Sequence, residues 1–559
     1  MSENSVELIP LGGLGEIGLN TMILKCGPDM VVIDSGLMFP EAQMYGVDFV
    51  IPDFGYLTEH ADQIRAVILT HGHEDHIGGL PFLLSQIHVP VYGTRLTLAL
   101  VQDRLKEHDL AQDVKCRTVT PGEKLTLGPF TITFIRVCHS IPDGLGLAIE
   151  TPAGCIIHSG DFKIDRSLPP EQATDLDTFA EYGQRGVLAL LSDSTNVERT
   201  GNSSSENAIL DTFRGIFQAS KGRIIIAMFA SNILRIQRVT RIAMEFGRHL
   251  VFDGRSMVTN VRIAREIGFV DFDENREVPL SQIRNIPDDK LVLISTGSQG
   301  EPMSALTRMA LGEHKQVKIR PGDTVILSSK FIPGNERSIT NIINNLYRQG
   351  AEVFYESVAN VHVSGHAYQE ELKTMINLTR PEFFIPVHGE YRHLIRHAEL
   401  AREMGLPAEN LILTENGDHL RFDNNGVEKL ERVNTGRVLV DGKGVGDIGR
   451  AVLRDRRNLA EHGMVIVLLV INEHSGEILS GPDLISRGLI FDQGEQELLD
   501  EAKNLVLEVL ERFKEETESA TGPLLDLTAL KAEIHRELKR FFNRIIDRRP
   551  LILPQIITG

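Results

Sequence analysis

Cysteine is scarce. The chain has four, Cys26, Cys116, Cys138 and Cys155, in 559 residues, and no two form a C-x-x-C pair. That argues against a disulfide scaffold and a cysteine zinc finger, and it suits a reducing cytoplasm. Long apolar runs are missing too. The most apolar, MVIVLLVI at 464–471, has eight residues, too short to span a membrane and the right length for a buried strand. The opening MSENSVELIP has no basic segment followed by an apolar one, so no signal peptide is expected and the chain is read as cytoplasmic. Positive charge is in deficit. With 58 Lys and Arg against 77 Asp and Glu, the net charge is −19. A surface that binds nucleic acid everywhere is therefore disfavoured, while a local positive groove remains open. Repeats and low-complexity segments are absent as well.

What is present is an ordinary globular composition, 42% hydrophobic and 24% charged, long enough for roughly two to four domains. Residues 1–203 read as short strands (TMILKC, MVVIDSG, AVILTHG, FTITFIRV, GCIIHSGD) between Gly-, Asp- and Pro-rich turns. Over 204–358 helical segments alternate with apolar strands, which predicts an α/β layer on a largely parallel sheet. The first style returns over 359–435, a Gly-, Arg- and Asp-rich stretch at 436–455 reads as a linker, and 456–559 reads as a small α+β domain. That last part holds an apolar strand, helices near 495–518 and 527–547, and an apolar end.

Chemistry concentrates in ILTHGHEDHIGG, which supplies His71, His73, Asp75 and His76. Chance would place H-x-H-x-[DE]-H in about three of a thousand such chains. A strand followed by a turn lets His71 and His73 face one metal while Asp75 and His76 face a second. Imidazoles and carboxylates without thiolates suit catalytic zinc. Two ions need further ligands, and two strand-end residues offer them: His139 in VCHSIPD and Asp161 in IIHSGDFK. An aspartate can bridge two cations with its two oxygens, which histidine cannot. His158 is read as structural and Cys138 as a small buried residue. The segment VANVHVSGHA sets His362 and His366 four apart, but its valines and Gly365 make a poor helix, which argues against a helical metal pair.

These residues resemble the metallo-β-lactamase fold, an αββα sandwich with metals at one edge. Asp34 in VVIDSG matches that family's first aspartate, which implies that it orients the metal-binding histidines. A last ligand is expected on a late strand, and His388 in FFIPVHGE lies 227 residues past Asp161 (388 − 161), so a domain must intervene. The 204–358 layer fills that role. This arrangement is similar to the β-CASP nucleases, whose three extra motifs match Asp193 in LLSDSTN, His366 in VSGH and His388 in PVHGE. The resemblance is strongest to the bacterial ribonuclease J family. It spans nearly the whole chain, including LGGLGEIGLN, GDFKID, FASNILRIQ and the C-terminal domain.

The resemblance implies a ribonuclease with two zinc ions per subunit, manganese or magnesium being further candidates. It implies 5′→3′ exonuclease action preferring a 5′-monophosphate, with internal cuts besides, in RNA decay and in rRNA and mRNA processing. Asp75 joins His366 and Asp193 as catalytic residues, with His366 the proton donor and Asp193 fixing its tautomer. His362, Ser364 and His366 match a phosphate-contacting segment. Ser231 and Asn232, where IIIAMF gives way to a helix, complete that pocket or simply cap the helix. STGSQGEP at 295–302 either lines the groove or is an ordinary turn. The basic helix LKAEIHRELKRFFNRIIDRR either tracks RNA or is a solvated face, with Ile534, Leu538, Phe541, Phe542 and Ile545 packing. Family likeness further implies a homodimer or homotetramer, other RNA-decay proteins as partners, and no membrane. Two readings compete with this one: a β-CASP DNA nuclease, since nothing in the chemistry uses the 2′-hydroxyl, and a non-catalytic RNA-binding scaffold.

Overall fold

The computed structural model describes residues 4–41, 43–332, 334–423, 425–442, 444–472, 477–489, 495–518 and 526–559. They fall into two compact units, one formed by residues up to 38 and 51–438, the other by 39–50 and 439–559.

The first unit is built on two facing sheets. One runs Gly426–Lys429, Leu420–Asp423, Val6–Gly12, Thr21–Cys26, Asp29–Ile33, Ile64–Ile68, Val91–Gly93, Cys116–Thr118. The other runs Pro381–Val387, Val187–Asp193, Gly154–His158, Gly144–Thr151, Phe130–Val137, Lys124–Leu127. Alternation along the second sheet explains the layering. Ile132, Phe134, Leu147, Ile149, Ile156, Leu191 and Ile385 point inward and meet Leu8, Leu24, Val31, Ile33 and Ile68. Their neighbours Ile135, Ala148, Ile157, Leu190 and Phe384 point outward to Phe179, Tyr182, Leu372, Met375 and Leu400 on the covering helices. A buried Phe134 or Phe384 contributes about 1.5–3 kcal/mol.

Strand direction places the chemistry. Gly154–His158, Val187–Asp193 and Pro381–Val387 are mutually parallel, as are Asp29–Ile33 and Ile64–Ile68. Their C-terminal ends, followed by Asp161, Asp193, His388, Asp34 and His71, therefore gather at one edge.

Between Asp193 and Pro381 the chain forms a second α/β layer. Its five strands, in the order His249–Asp253, Leu291–Ser295, Ile224–Ala227, Thr324–Leu327, Glu352–Phe354, pair in parallel throughout. Helix Glu206–Ala219 leads into the layer, and helices Ile233–Glu245, Arg255–Glu266 and Glu336–Arg348 are among those joining its strands.

The second unit holds a sheet in the order Ile478–Arg487, Met464–Ile471, Leu551–Thr558 and helices Glu495–Glu518 and Leu527–Ile546. Val465, Val467, Leu469 and Ile471 pack on Leu530, Ile534, Leu538 and Phe542. Ile545, expected to pack with them, is 47% exposed instead, because its position on the helix turns it to solvent. The stretch 436–455 is not a featureless linker. It carries strand Arg437–Asp441, a turn with Gly442 and Gly446 at positive φ, and the start of helix Arg450–His462. Its glycines serve a hairpin turn, which composition alone made look like a linker. No helix among the described residues is long and apolar enough to cross a membrane.

Candidate metal centre

Seven side chains from four strand ends converge at the edge, four of them from the turn after Ile64–Ile68. His71, His73, His139 and Asp161 form one set of metal-capable groups, and Asp75, His76, Asp161 and His388 form another. In the first, His71 Nε2 lies 3.0 Å from His73 Nδ1, and His139 Nε2 lies 3.2 Å from the same atom. In the second, His388 Nε2 is 3.3 Å from Asp75 Oδ2, and His76 Nε2 is 3.6 Å from it. One oxygen joins the sets. Asp161 Oδ2 lies 3.3 Å from His76 Nε2, 3.4 Å from His388 Nε2, 3.7 Å from His71 Nε2 and 3.9 Å from His139 Nε2. Oδ2 is the carboxylate oxygen nearest to all four imidazoles, so it is the atom that faces both sets.

The outer nitrogens are all occupied by partners. His76 Nδ1 donates to Asp34 Oδ2 at 2.8 Å. Thr70 Oγ1 donates to the same carboxylate at 2.8 Å and lies 3.1 Å from His71 Nδ1. His139 Nδ1 donates to Gly365 O at 2.8 Å. His388 Nδ1 lies 2.6 Å from Thr195 Oγ1, which donates to Asp193 Oδ1 at 2.8 Å. His73 is turned the other way, with Nε2 3.3 Å from Ser140 Oγ. The carboxylate, carbonyl and hydroxyl partners on Nδ1 of His71, His76, His139 and His388 turn the Nε2 atoms of these rings toward the cluster, which is how metal-binding imidazoles are held. The donor set therefore fits divalent cations.

Asp34 and His388 adopt left-handed backbone, φ 61° and 55°. For a non-glycine residue this costs about 1–3 kcal/mol. Three hydrogen bonds to the Asp34 carboxylate, from Thr70 N, Thr70 Oγ1 and His76 Nδ1, and the Thr195 contacts of His388 hold these conformations in place.

Electrostatics divides the cluster. Burial pushes His71 and His139 well below the usual histidine range and His73 to about 4, so these rings are neutral and ready to ligate. Against the same burial, Asp161, Asp75 and Asp34 raise His76 to about 10, and Asp161 with Asp193 and Asp75 raises His388 well above its usual value. Asp161 stays charged, since His388 and His76 outweigh its desolvation. The carboxylate half of the centre thus attracts positive charge.

His366 stands beside this centre. Its Nδ1 donates to Asp193 Oδ2 at 2.8 Å, and its ring lies 4.7 Å from that of His139 and 5.4 Å from that of His388. Despite burial, Asp193 raises its pKa. The segment that carries it is neither helix nor strand. A Cβ on Gly365 would sit 2.7 Å from the His139 ring, so glycine is required there.

The phosphate candidates divide. Asn232 Oδ1 accepts from Arg235 N at 3.1 Å and caps helix Ile233–Glu245; Ser231, half-buried, precedes it. His362 is pushed to about 3 by burial and then by Arg235, and its Nδ1 is buried without a hydrogen-bond partner. Ser364 Oγ accepts from Asn196 Nδ2 at 2.7 Å.

Sequence reasoning missed Thr70, Thr195 and Asn196, and above all a buried ionic network. Arg235, 1% exposed, donates to Ser328 Oγ at 2.7 Å, Val361 O at 3.4 Å and Val363 O at 3.3 Å, and pairs with Glu206 at 3.3 Å. Glu206 also pairs with Arg238 at 2.7 Å and Lys163 at 3.6 Å. The one available signal was an arginine amid isoleucines in NILRIQRVTRI.

Models of known families match along the chain: a "Beta-lactamase superfamily domain" at 31–179, a "Ribonuclease J, beta-CASP domain" at 221–346, a "Zn-dependent metallo-hydrolase RNA specificity domain" at 351–412 and a "Ribonuclease J C-terminal domain" at 451–559. Ribonuclease J of Thermus thermophilus is 41% identical over 564 residues, covering 100% of this chain and 96% of that protein. The chain belongs to the ribonuclease J family. Ribonuclease J2 of Bacillus subtilis is similar too, 40% identical over 99% of this chain and 98% of its own length. A crystal structure of a protein of unknown function from Enterococcus faecalis, 14% identical, superposes with TM-score 0.53 over 74% of this chain and 99% of that one, and shows the fold alone. In ribonuclease J terms, the sandwich is the metallo-β-lactamase domain, the parallel layer its β-CASP insert, and the final sheet and helices the C-terminal domain.

Proposed function

We propose that this chain is a two-zinc ribonuclease that hydrolyses RNA phosphodiesters 5′→3′ from monophosphorylated ends and also cuts internally. The observation that carries this is the pair of four-residue sets sharing Asp161 Oδ2, with the His366–Asp193 pair alongside. Divalent ions held there supply a lowered water pKa and charge neutralisation at phosphorus. His71, His73 and His139 would hold one ion and Asp75, His76 and His388 the other, with Asp161 within reach of both sets. Asp34 and Thr70 keep His76 and His71 in the ligating tautomer. With Nδ1 tied to Asp193, His366 keeps Nε2 free to pass a proton to the leaving 3′ oxygen, giving 5′-phosphate and 3′-hydroxyl products. Ser231, Asn232, His362 and Ser364 form the pocket for the terminal phosphate.

That the similar proteins are ribonucleases supports RNA over DNA as substrate. Self-association as a dimer or tetramer is supported by the outer face of the C-terminal sheet. There Ile466 is flanked by Ile485 and Leu553, and Val470 by Ile557. The reading also includes a cytoplasmic location, partners among RNA-decay proteins, and manganese or magnesium as alternative ions.

The test is parallel digestion of RNA bearing a 5′-monophosphate or a 5′-triphosphate and of DNA of the same sequence, with metal content measured on the same sample. Preferred cleavage of monophosphorylated RNA, with two zinc ions per chain, is expected. Preference for DNA would sink the ribonuclease reading, and equal rates on both RNA ends would sink the terminal pocket.

A further inference from the structure

The turn after strand Thr324–Leu327 carries a cation that makes no direct ion pair among the described residues. Lys330 is half-buried, and among the described residues no carboxylate pairs with its ammonium. Its polar contact is a long one, 3.4 Å to Asn196 Oδ1. Burial and then the nearby Arg199 and Arg392 guanidinia hold the ammonium below the usual lysine range, although Glu356 and Glu198 pull the other way. A partly desolvated charge of this kind is costly unless something pairs with it.

The position is built rather than loose. Gln299, within the Gly-rich 295–302 stretch, donates from Nε2 to the Lys330 carbonyl at 2.7 Å and to Ser329 Oγ at 2.9 Å. Its Oε1 accepts from Ile332 N at 2.9 Å.

Asn196 relays the orientation. Lys330 donates to Oδ1, so Nδ2 faces the other way and donates to Ser364 Oγ at 2.7 Å and His366 O at 3.4 Å. Ser364 Oγ also accepts from His366 N at 3.2 Å. Both lone pairs of that hydroxyl are engaged. Its proton is left as a donor, and no acceptor for it lies among the described residues. An unpaired ammonium and a free hydroxyl proton thus stand at the two ends of one asparagine, next to His366. In a chain of net charge −19 this is a local exception, and its chemistry selects an anion.

We propose that Lys330, set through Asn196 and acting with the Ser364 hydroxyl, binds a phosphate of the RNA beside His366. This rests on the ribonuclease reading and adds a cationic group to the neutral donors assigned there. The phosphate is either the terminal monoester or a backbone diester.

The test uses the full-length, metal-loaded protein and one RNA sequence carrying a 5′-monophosphate or a 5′-hydroxyl. Lys330→Met keeps the stem and removes the charge. KM is expected to rise about tenfold or more, as for loss of a charged hydrogen bond. The slope of log kcat/KM against log salt becomes shallower by about 0.7, the share of one phosphate contact on a single strand. Lys330→Arg restores most of both. Loss confined to the monophosphorylated RNA identifies the terminal phosphate, and equal loss on both identifies a backbone phosphate. Thermal midpoint and metal content are followed in parallel, and Lys330→Gln replaces the methionine variant if that one unfolds. An unchanged KM and salt slope overturn the proposal. If the unsubstituted protein cleaves no RNA, the ribonuclease reading fails instead. The lysine is then judged by RNA binding alone, where equal Kd for Lys330→Met and the parent overturns it.

Discussion

Glu206 and Arg235 meet at 3.3 Å, each 1% exposed, where the first two helices of the insert face the 361–363 segment. Glu206 is the shared acid of three buried cations, Lys163, Arg235 and Arg238. Glu206→Gln therefore strands positive charge in the interior and should cost about 3–5 kcal/mol in urea unfolding. The loss should depend on pH. Although burial opposes it, Arg235, Lys163 and Arg238 lower the Glu206 carboxyl from 4.5 to about 2. A folded pKa below the unfolded one means the stabilisation is complete above pH 4.5 and fades as pH falls towards 2. Across that window the parent should lose about 3 kcal/mol that the Gln variant never had. Parallel stability curves for the two proteins would refute this.

Removing the proton donor should slow chemistry without emptying the metal site. His366→Ala is expected to lower the single-turnover rate by about 10²–10⁴-fold. Metal content by mass spectrometry should match that of the parent. A variant that loses metal instead would make His366 a ligand, a possibility its place near Asp161 and His388 makes worth measuring.

The shared oxygen predicts unequal losses of metal. Asp161→Asn should strip both sites, since both sets of ligands depend on Oδ2. His71→Ala should weaken one ion and spare much of the other. Chelation should abolish activity and lower the thermal midpoint, because ions bound only to the folded state stabilise it. Equal metal loss in the two variants would contradict the shared-oxygen geometry.

The outer face of the C-terminal sheet offers a separate test. Ile485→Lys with Leu553→Lys places charge on both sides of Ile466. Light scattering should then report a smaller species, with the thermal midpoint little changed because both side chains are already exposed. An unchanged mass would show that this face is not where copies meet.

Much of the site was readable because it is local. A strand running into HGHEDH, and single His or Asp residues just past other strands, state their chemistry within a few residues. The parallel layer was legible from alternating helices and apolar strands. What escaped notice depends on distance along the chain. Arg235 reaches Val363 and Glu206 reaches Lys163, and nothing in the flanking residues of either pair announces the other. Asn196 and Lys330 are separated by 134 residues and meet only once the insert has folded. The linker reading failed for a simpler reason, since glycines that shape a hairpin turn look the same in composition as glycines that loosen a chain.

The chain leaves the sandwich just after Asp193 and comes back with His366, so the 2.8 Å bond between them closes a circuit of 173 residues. The two side chains proposed for proton transfer are thus also the clasp of the whole excursion. Any displacement of the insert must open that clasp or carry both ends with it. On the proposed reading, the ring that would pass the proton is therefore oriented by the same contact that fastens the insert's return to the sandwich.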